Sequence, residues 1–278
     1  MNIFYFGGSS FASQYLIKDL IKKFNIINFS RRKVFGCESH YLNLNSKISN
    51  NISKKLNKIK ADYIFFFSSY VPFDEKNSNW EDCKNVNVIG LINLLKKIRF
   101  KPKKIILASS CSVYGQDIKS KTGESFLMPS SFYALTKFIQ ENLIRIYCDN
   151  NNIKFLCYRI GYVFGDDMDN KRLVKKILIK IKKNKKIKLF NKKKNLNLIH
   201  TKDISRIIIA SFKNSQGILN LCVPYKTSLG LYYKLIKKTV KKKVILKNFY
   251  KYNNFYKDFK KIKIFKFNDA IEEFKNGN

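Results

Sequence analysis

Histidine, arginine and acidic side chains are all scarce in this chain of 278 residues, and each shortage narrows its function. There are only 2 histidines, His40 and His200, so a histidine-rich metal site is excluded and no metal is expected. The 6 cysteines, Cys37, Cys83, Cys111, Cys148, Cys157 and Cys222, form no CxxC pair and mostly lie in apolar surroundings. That pattern predicts buried free thiols rather than disulfides or zinc ligands. No apolar stretch approaches the roughly 20 residues that cross a bilayer. The opening Met1-Asn2-Ile3-Phe4-Tyr5 lacks a basic region followed by an apolar run and cleavage site, so a cytoplasmic protein with no membrane partner is expected.

Acidic residues number 19 against 56 lysines and arginines, a formal charge of +37. Such an excess ordinarily points to nucleic acid, because dense lysines neutralise phosphates. Yet only Arg31, Arg32, Arg99, Arg145, Arg159, Arg172 and Arg206 are arginines, and Lys, Asn, Ile, Phe and Tyr are enriched together from end to end. A binding footprint is local and uses arginine for phosphates and bases. No helix-turn-helix, zinc pattern or aromatic-basic platform is apparent either. The excess therefore reads as a solvated basic surface with no specific nucleic-acid partner, one that gives a phosphate-bearing small substrate a favourable field.

What the chain does have is a 45% hydrophobic content, enough for a sizeable core. Strands are expected at Asn2–Phe6, Ile26–Phe29, Tyr63–Phe67, Lys104–Ala108, Lys154–Arg159 and Ile218–Cys222, with a short third strand near Val34–Phe35 or Tyr41–Leu44. Helices are expected at Ser10–Ile21, Asn51–Lys60, Asp82–Arg99, Ser131–Asp149, Asp169–Lys183, Thr201–Phe212, Ser228–Val240 and Asp269–Lys275. Leu198-Ile199-His200 leads into the Thr201 helix, Ile187–Phe190 is strand-like, and Asn191–Lys194 reads as an exposed turn. Apolar strands without strict alternation, separated by amphipathic helices, predict an α/β fold of the Rossmann type, a parallel sheet with helices on both faces. A small C-terminal substrate-binding lobe is expected to accompany it. Residues 1–165 with 198–222 would form the domain built on this sheet, and 166–197 with 223–278 the lobe.

The first candidate site is the turn after the first strand, Gly7-Gly8-Ser9-Ser10-Phe11-Ala12-Ser13. Glycine permits a tight turn, and the helix that follows offers free N–H groups to a pyrophosphate. Gly7 holds the first position of Gly-x-x-Gly-x-x-Gly, whereas Ser10 and Ser13 hold the other two, so a plain strand-turn-helix reading stands beside the cofactor reading. At the end of the second strand, Ser30-Arg31-Arg32 would meet an adenosine 2′-phosphate with a charge-assisted fork. NADP is thus favoured over NAD, the alternative being that both arginines are merely exposed.

The sharper signal is Tyr133-Ala134-Leu135-Thr136-Lys137. Spacing of i, i+4 stacks the phenol and ammonium on one helical face, where the ammonium can lower the phenol pKa and hold a nicotinamide ribose. A phenol tuned toward neutrality interconverts alcohol and carbonyl. Ser110, delivered at the C-terminal edge of the strand Lys104–Ala108, would hydrogen-bond the same substrate oxygen. In His200-Thr201-Lys202-Asp203-Ile204, Thr201 or Asp203 is expected to cap a helix, with Asp203 structural rather than proton-transferring and His200 bonding across the junction or simply packed.

These pieces resemble an extended short-chain dehydrogenase/reductase of the NAD-dependent epimerase/dehydratase group, which acts on nucleotide sugars. The resemblance rests on Ser109-Ser110-Cys111-Ser112-Val113-Tyr114-Gly115, Glu124 with Pro129, Tyr133 through Lys137, Arg159-Ile160-Gly161-Tyr162-Val163-Phe164-Gly165, and His200 through Ile204. It implies Ser110 as the catalytic hydroxyl, Tyr133 as acid/base and Lys137 as ribose ligand. Gly7, Ser9, Ser10, Phe11, Ser30, Arg31, Arg32, Ser68 and Asn87 complete the implied cofactor set with Tyr133 and Lys137. It further implies NADP or NAD as cofactor, a nucleotide-sugar substrate and a possible homodimer through the helices Asp82–Arg99 and Ser131–Asp149. Cys111-Ser112 replaces the Asp-Glu pair of sugar dehydratases, which argues against 4,6-dehydration. Epimerase and keto-sugar reductase share the same catalytic side chains; the non-enzymatic alternative is a dinucleotide-binding scaffold.

Overall fold

The computed structural model describes residues 1–75, 77–115, 126–165, 168–183, 197–221, 228–230 and 233–234. Glu124, Cys222, the segments 187–190, 191–194 and 269–275, most of 228–240 and the larger part of the expected lobe lie outside these residues.

Seven strands form one sheet: β1 (Asn2–Phe6), β2 (Asn25–Ser30), β3 (Glu38–Tyr41), β4 (Tyr63–Phe66), β5 (Lys104–Ser110), β6 (Lys154–Ile160) and β9 (Gly217–Leu221). Their order is β3-β2-β1-β4-β5-β6-β9, every pair parallel. β7 (Tyr162–Phe164) and β8 (Leu198–His200) pair separately, also in parallel. In β1 the pleat sends Ile3 and Tyr5 into one core and Phe4 and Phe6 into the other, and both cores are buried. Helices α1 (Gln14–Ile21) and α7 (Thr201–Ser211) cover the first face through Leu16, Leu20, Ile204 and Ile207. The other face is covered by α2 (Asn50–Lys58), α4 (Gly90–Leu95) and α5 (Phe132–Asn150), through Leu56, Leu91, Leu94 and Ile144. Full burial on both sides explains the unbroken apolar strands.

Between β1 and β4 the strand order reverses, opening a crevice at their carboxyl ends. Buried Lys104, at the far end of β5, is spent on packing: its ammonium donates to the carbonyls of Phe212, Lys213 and Ser215 at 2.8, 2.8 and 2.7 Å. Those carbonyls lie just past the C-terminus of α7, where a cation is favoured. A smaller core joins α6 (Leu173–Lys182) to β7 and β8, through Val174, Ile177, Leu178, Phe164 and Leu198.

Some sequence expectations need correction. The third strand is Glu38–Tyr41, between the two positions proposed, because its polar residues form a sheet edge rather than an apolar run. The helix expected over Asp82–Arg99 begins with α3 (Trp80–Lys84), passes through a π-helical turn, Asn85–Ile89, and continues as α4. The residues after Ser10 first form a 3-10 turn, Phe11–Ser13, before α1 begins at Gln14.

Candidate active site

The β1 turn lies at the head of the crevice. Gly7 adopts φ +88°, and a Cβ there would come within 2.6 Å of the Ser68 nitrogen, just beyond β4. Only glycine fits this close approach. At Gly8 a Cβ would collide with Ile17 and with the buried Asn28 side chain, whose Oδ1 accepts the Gly8 N–H at 3.1 Å. The serines in the later glycine positions are accommodated internally. Ser13 Oγ donates to the Gly7 carbonyl at 3.2 Å and receives the Tyr5 hydroxyl at 2.9 Å, while Ser10 Oγ lies 2.8 Å from Ser13 Oγ. Their hydroxyls thus brace the turn. This tight turn at the switch point fits a dinucleotide. Ser9, Ser10 and Phe11 are half-buried along it.

Ser30 closes β2, and its hydroxyl donates to the Arg32 carbonyl at 2.6 Å. Arg32 turns back over the glycine turn, its guanidinium donating to the Ser9 carbonyl at 2.7 Å, and Arg31 is exposed beside it. Asn87 is buried. Its Oδ1 accepts from the Tyr70 N–H at 2.7 Å, and its amide donates to the Tyr70 carbonyl at 3.2 Å and to Thr136 Oγ1 at 3.0 Å. It therefore braces the segment after β4 against α5, and the π-helical turn aims it there.

Tyr133 and Lys137 share one face of α5, whose N-cap is Ser131, accepting from the Ala134 N–H at 3.1 Å. Ser110 ends β5 and caps the 3-10 turn Cys111–Tyr114, accepting the Ser112 N–H at 3.2 Å. Lys137 is 2% exposed, and its three N–H donors have three acceptors: the Ala108 carbonyl at 2.6 Å, Gln140 Oε1 at 2.6 Å and Ser69 Oγ at 2.9 Å. Burial pulls its pKa down to about 8. The phenol moves opposite to expectation. Burial pushes Tyr133 well above the usual tyrosine range, and Glu75 adds to this, whereas its hydrogen bond to Ser110 and the Arg172 guanidinium pull it back. Desolvation of the ring outweighs the nearby positive charge.

Behind these groups lies a buried ion pair. Arg159 Nη2 donates to Glu141 Oε2 at 2.8 Å and its Nε to Oε1 at 3.0 Å; Glu141 Oε1 also accepts the Ser109 hydroxyl at 2.5 Å. Arg159 Nη1 reaches Tyr114 Oη at 2.8 Å, which donates to Asn220 Oδ1 at 2.8 Å. Although burial alone would lower the guanidinium's pKa, hydrogen bonding and charge from Glu141 raise it. β5, β6, β9, α5 and the Cys111–Tyr114 turn are thereby tied together immediately behind Ser110 and Lys137.

At the start of α7 the cap is His200 rather than Thr201 or Asp203: its Nδ1 accepts the Lys202 N–H at 3.2 Å. Asp203 occupies the first turn, buried, with Arg206 at 3.7 Å. Residues that the sequence did not single out also line the centre. Ser69 and Gln140 hold the ammonium. Glu75 accepts from Ser112 Oγ at 2.8 Å, and Arg172 lies over the rings of Phe11 and Phe73 at 5.8 and 5.9 Å. Gln140, three residues from Lys137 on the same helix, was open to discovery by spacing; Glu75 lies in an irregular segment with no periodic signal, and Arg172, inside the helix expected over Asp169–Lys183, is instead the N-cap of α6.

Residues 3–222 match the family model described as the NAD dependent epimerase/dehydratase family. Over 139 residues the chain is 28% identical to the UDP-glucose 4-epimerase of Mycoplasma genitalium, covering 48% of this chain but 40% of that protein's length. The structure of a Thermotoga maritima UDP-glucose 4-epimerase with UDP-glucose superposes with TM-score 0.77 at 18% identity, over 87% of this chain and 83% of that one. A Bacillus cereus UDP-glucuronic acid 4-epimerase, in complex with UDP-glucuronic acid and NAD, gives 0.76 at 17% identity, over 87% and 84%.

Proposed function

The chain belongs to the NAD dependent epimerase/dehydratase family, and from that premise we propose that it transfers hydride at a sugar carbon of a nucleotide sugar, using bound NAD or NADP. The observation that carries the reading is the convergence of Ser110, Tyr133 and Lys137 at the carboxyl edge of β5, beside the Gly7 turn. When bound, the nicotinamide ring accepts or returns the hydride. Tyr133 takes the proton of the sugar hydroxyl as the carbonyl forms, its own phenolic proton having first left to solvent, and returns it on reduction. Ser110 hydrogen-bonds the same oxygen. Lys137 holds the ribose once Ser69 gives up its place on the ammonium. The Gly7 turn and the N-terminal end of α1 receive the pyrophosphate, and Arg31 with Arg32 receives a 2′-phosphate, which makes NADP the preferred cofactor.

Epimerisation adds a turn of the keto intermediate before hydride returns; reduction of a keto sugar uses only the second half. Glucose-type UDP sugars are the first substrates to test, given the relatives named above. A panel of UDP-, GDP-, CDP- and dTDP-sugars and keto sugars, followed by nicotinamide absorbance and by stereochemical inversion, decides the matter. Inversion without net cofactor reduction identifies an epimerase, and stoichiometric cofactor oxidation identifies a reductase. Competent cofactor binding with neither outcome across the panel would favour the scaffold reading.

A further inference from the structure

One amide on the catalytic helix is only half satisfied. Gln140, fully buried on α5, has no partner for its Nε2 among the described residues, whereas its Oε1 accepts twice, from the Lys137 ammonium at 2.6 Å and from the Ser69 hydroxyl at 3.3 Å. An unmet buried amide N–H is costly, so packing alone favours a methionine of similar volume here. The other end of the amide accounts for its presence. Turning it over would set the NH2 group against the ammonium, donor to donor, so the oxygen must face Lys137.

The three acceptors of the ammonium differ in how readily they let go. The Ala108 carbonyl, at 2.6 Å, belongs to the backbone of β5 and cannot turn away. Gln140 is enclosed by the core. Ser69 is half-buried just past the end of β4, at the crevice, and one bond rotation takes its hydroxyl off the ammonium, which it meets at 2.9 Å. We propose that Gln140 is a positioning residue for Lys137: with the Ala108 carbonyl it fixes two of the ammonium's protons, which keeps the lysine charged inside the fold and leaves the third proton, now on Ser69, for a hydroxyl of the nicotinamide ribose. This rests on the functional reading above, in which Lys137 meets the ribose. An apolar side chain in this place would leave the charge exposed to desolvation; the neutral amide supports the charge without neutralising it.

Burial already pulls Lys137 down to about 8, and the titratable groups that face it, Cys157 on β6 and Glu141 on α5, act in the opposite direction. Glu141 is bound in turn by Arg159 and Ser109. The Tyr133 phenol stands one turn away on the same helix. β5 and the segment after β4 meet the ammonium with the Ala108 carbonyl and the Ser69 hydroxyl, neither of which titrates near neutrality. Losing the Gln140 bond therefore moves the lysine toward its neutral form.

Two measurements on the full chain test this. In the first, lysine labelled with 13C at Cε is titrated by NMR without ligand, Lys137→Met assigning the signal, which near 8 stands apart from the 10.5 of a free lysine. Gln140→Met, close to glutamine in volume, should lower the midpoint by about one pH unit, and Gln140→Glu, which keeps an acceptor and adds charge, should raise it. A wild-type midpoint in Gln140→Met, or one not raised in Gln140→Glu, overturns the proposal; should Gln140→Met fail to fold, Gln140→Glu decides. In the second, calorimetry follows NAD and NADP affinity across pH. Gln140→Met should bind up to about tenfold more weakly above about pH 8, a loss that shrinks toward about pH 6, where both proteins carry a charged Lys137. A loss of equal size at every pH overturns the proposal, because a merely distorted pocket weakens binding uniformly. If the wild type binds neither cofactor, the failure belongs to the functional reading, and the lysine titration alone decides whether Gln140 supports the ammonium.

Discussion

The turn after β1 and the corner between β5 and α5 both carry departures or groups that a buried site should punish, yet they accommodate them by different means. At the turn, Ser10 and Ser13 stand in glycine positions, and their hydroxyls are absorbed within a few residues by each other, by Tyr5 and by the Gly7 carbonyl. At the corner, buried Glu141 and Arg159 bond each other across α5 and β6 and reach Ser109 on β5 and Tyr114 in the Cys111–Tyr114 turn, which in turn bonds Asn220 on β9. Local satisfaction confines a change to the turn. Satisfaction across elements spreads it through the fold.

The comparison breaks most readily at the corner. Arg159→Leu would leave Glu141 buried and uncompensated, and should cost about 3–5 kcal/mol of unfolding free energy. Urea denaturation measures it; a loss below about 1 kcal/mol would mean that the corner is no more tightly bound than the turn.

Lys137→Met comes next in size. Removing a charge-assisted contact worth about 1.5–3 kcal/mol should weaken cofactor binding roughly tenfold to a hundredfold, and it should slow hydride transfer as well. In the wild type, cofactor affinity should fall as pH rises through about 8, where the ligand-free ammonium loses its proton. The stability sign is opposite. Because the folded value lies below the 10.5 of a free lysine, the cost of burying this charge is present below about 8 and is relieved as pH rises from there toward 10.5. Calorimetric titration of NAD and NADP across pH 6 to about 9 checks the binding limb; flat affinity would separate Lys137 from the cofactor.

At the turn the expected effects are smaller. Replacing Arg31 and Arg32 together by alanine should erase most of an NADP over NAD preference, about tenfold for one charge-assisted hydrogen bond, while leaving stability nearly unchanged. Titrating both cofactors at matched salt checks this, and tighter NAD binding by the wild type would remove the inference. Smallest of all, Asp203→Asn should leave turnover unaffected and cost under about 1 kcal/mol, the value of a carboxylate in a first helical turn. Complete loss of turnover in a folded, ligand-binding Asp203→Asn protein would mean that the proton-transfer centre had been misplaced.

Periodicity made most of the sheet legible in the sequence. β1, β4 and β5 read as apolar runs because helices cover both of their faces, and α5 announced itself through Ser131 and the Tyr133–Lys137 pair. β3 escaped because Glu38, Ser39 and His40 at a sheet edge carry no hydrophobic signal. Ser110, Tyr133 and Lys137 were recognisable because their spacing on a strand end and a helix already encodes proximity. Glu75 and Arg172 were not, since the contacts of an irregular segment and of a helix cap depend on tertiary placement. The resemblance placed Asn87 in the cofactor set, and its side chain bonds Tyr70 and Thr136. The matching motif located it without showing what its polar atoms face.

The central claim is that Tyr133 moves the proton that accompanies hydride transfer. Tyr133→Phe keeps the ring and removes that proton, so it tests the claim most directly. With a substrate found in the nucleotide-sugar panel and chemistry shown to limit the rate, kcat should fall by about 10²-fold or more, with cofactor affinity and unfolding free energy close to wild type. Equal turnover by wild type and Tyr133→Phe at their pH optima would contradict the account.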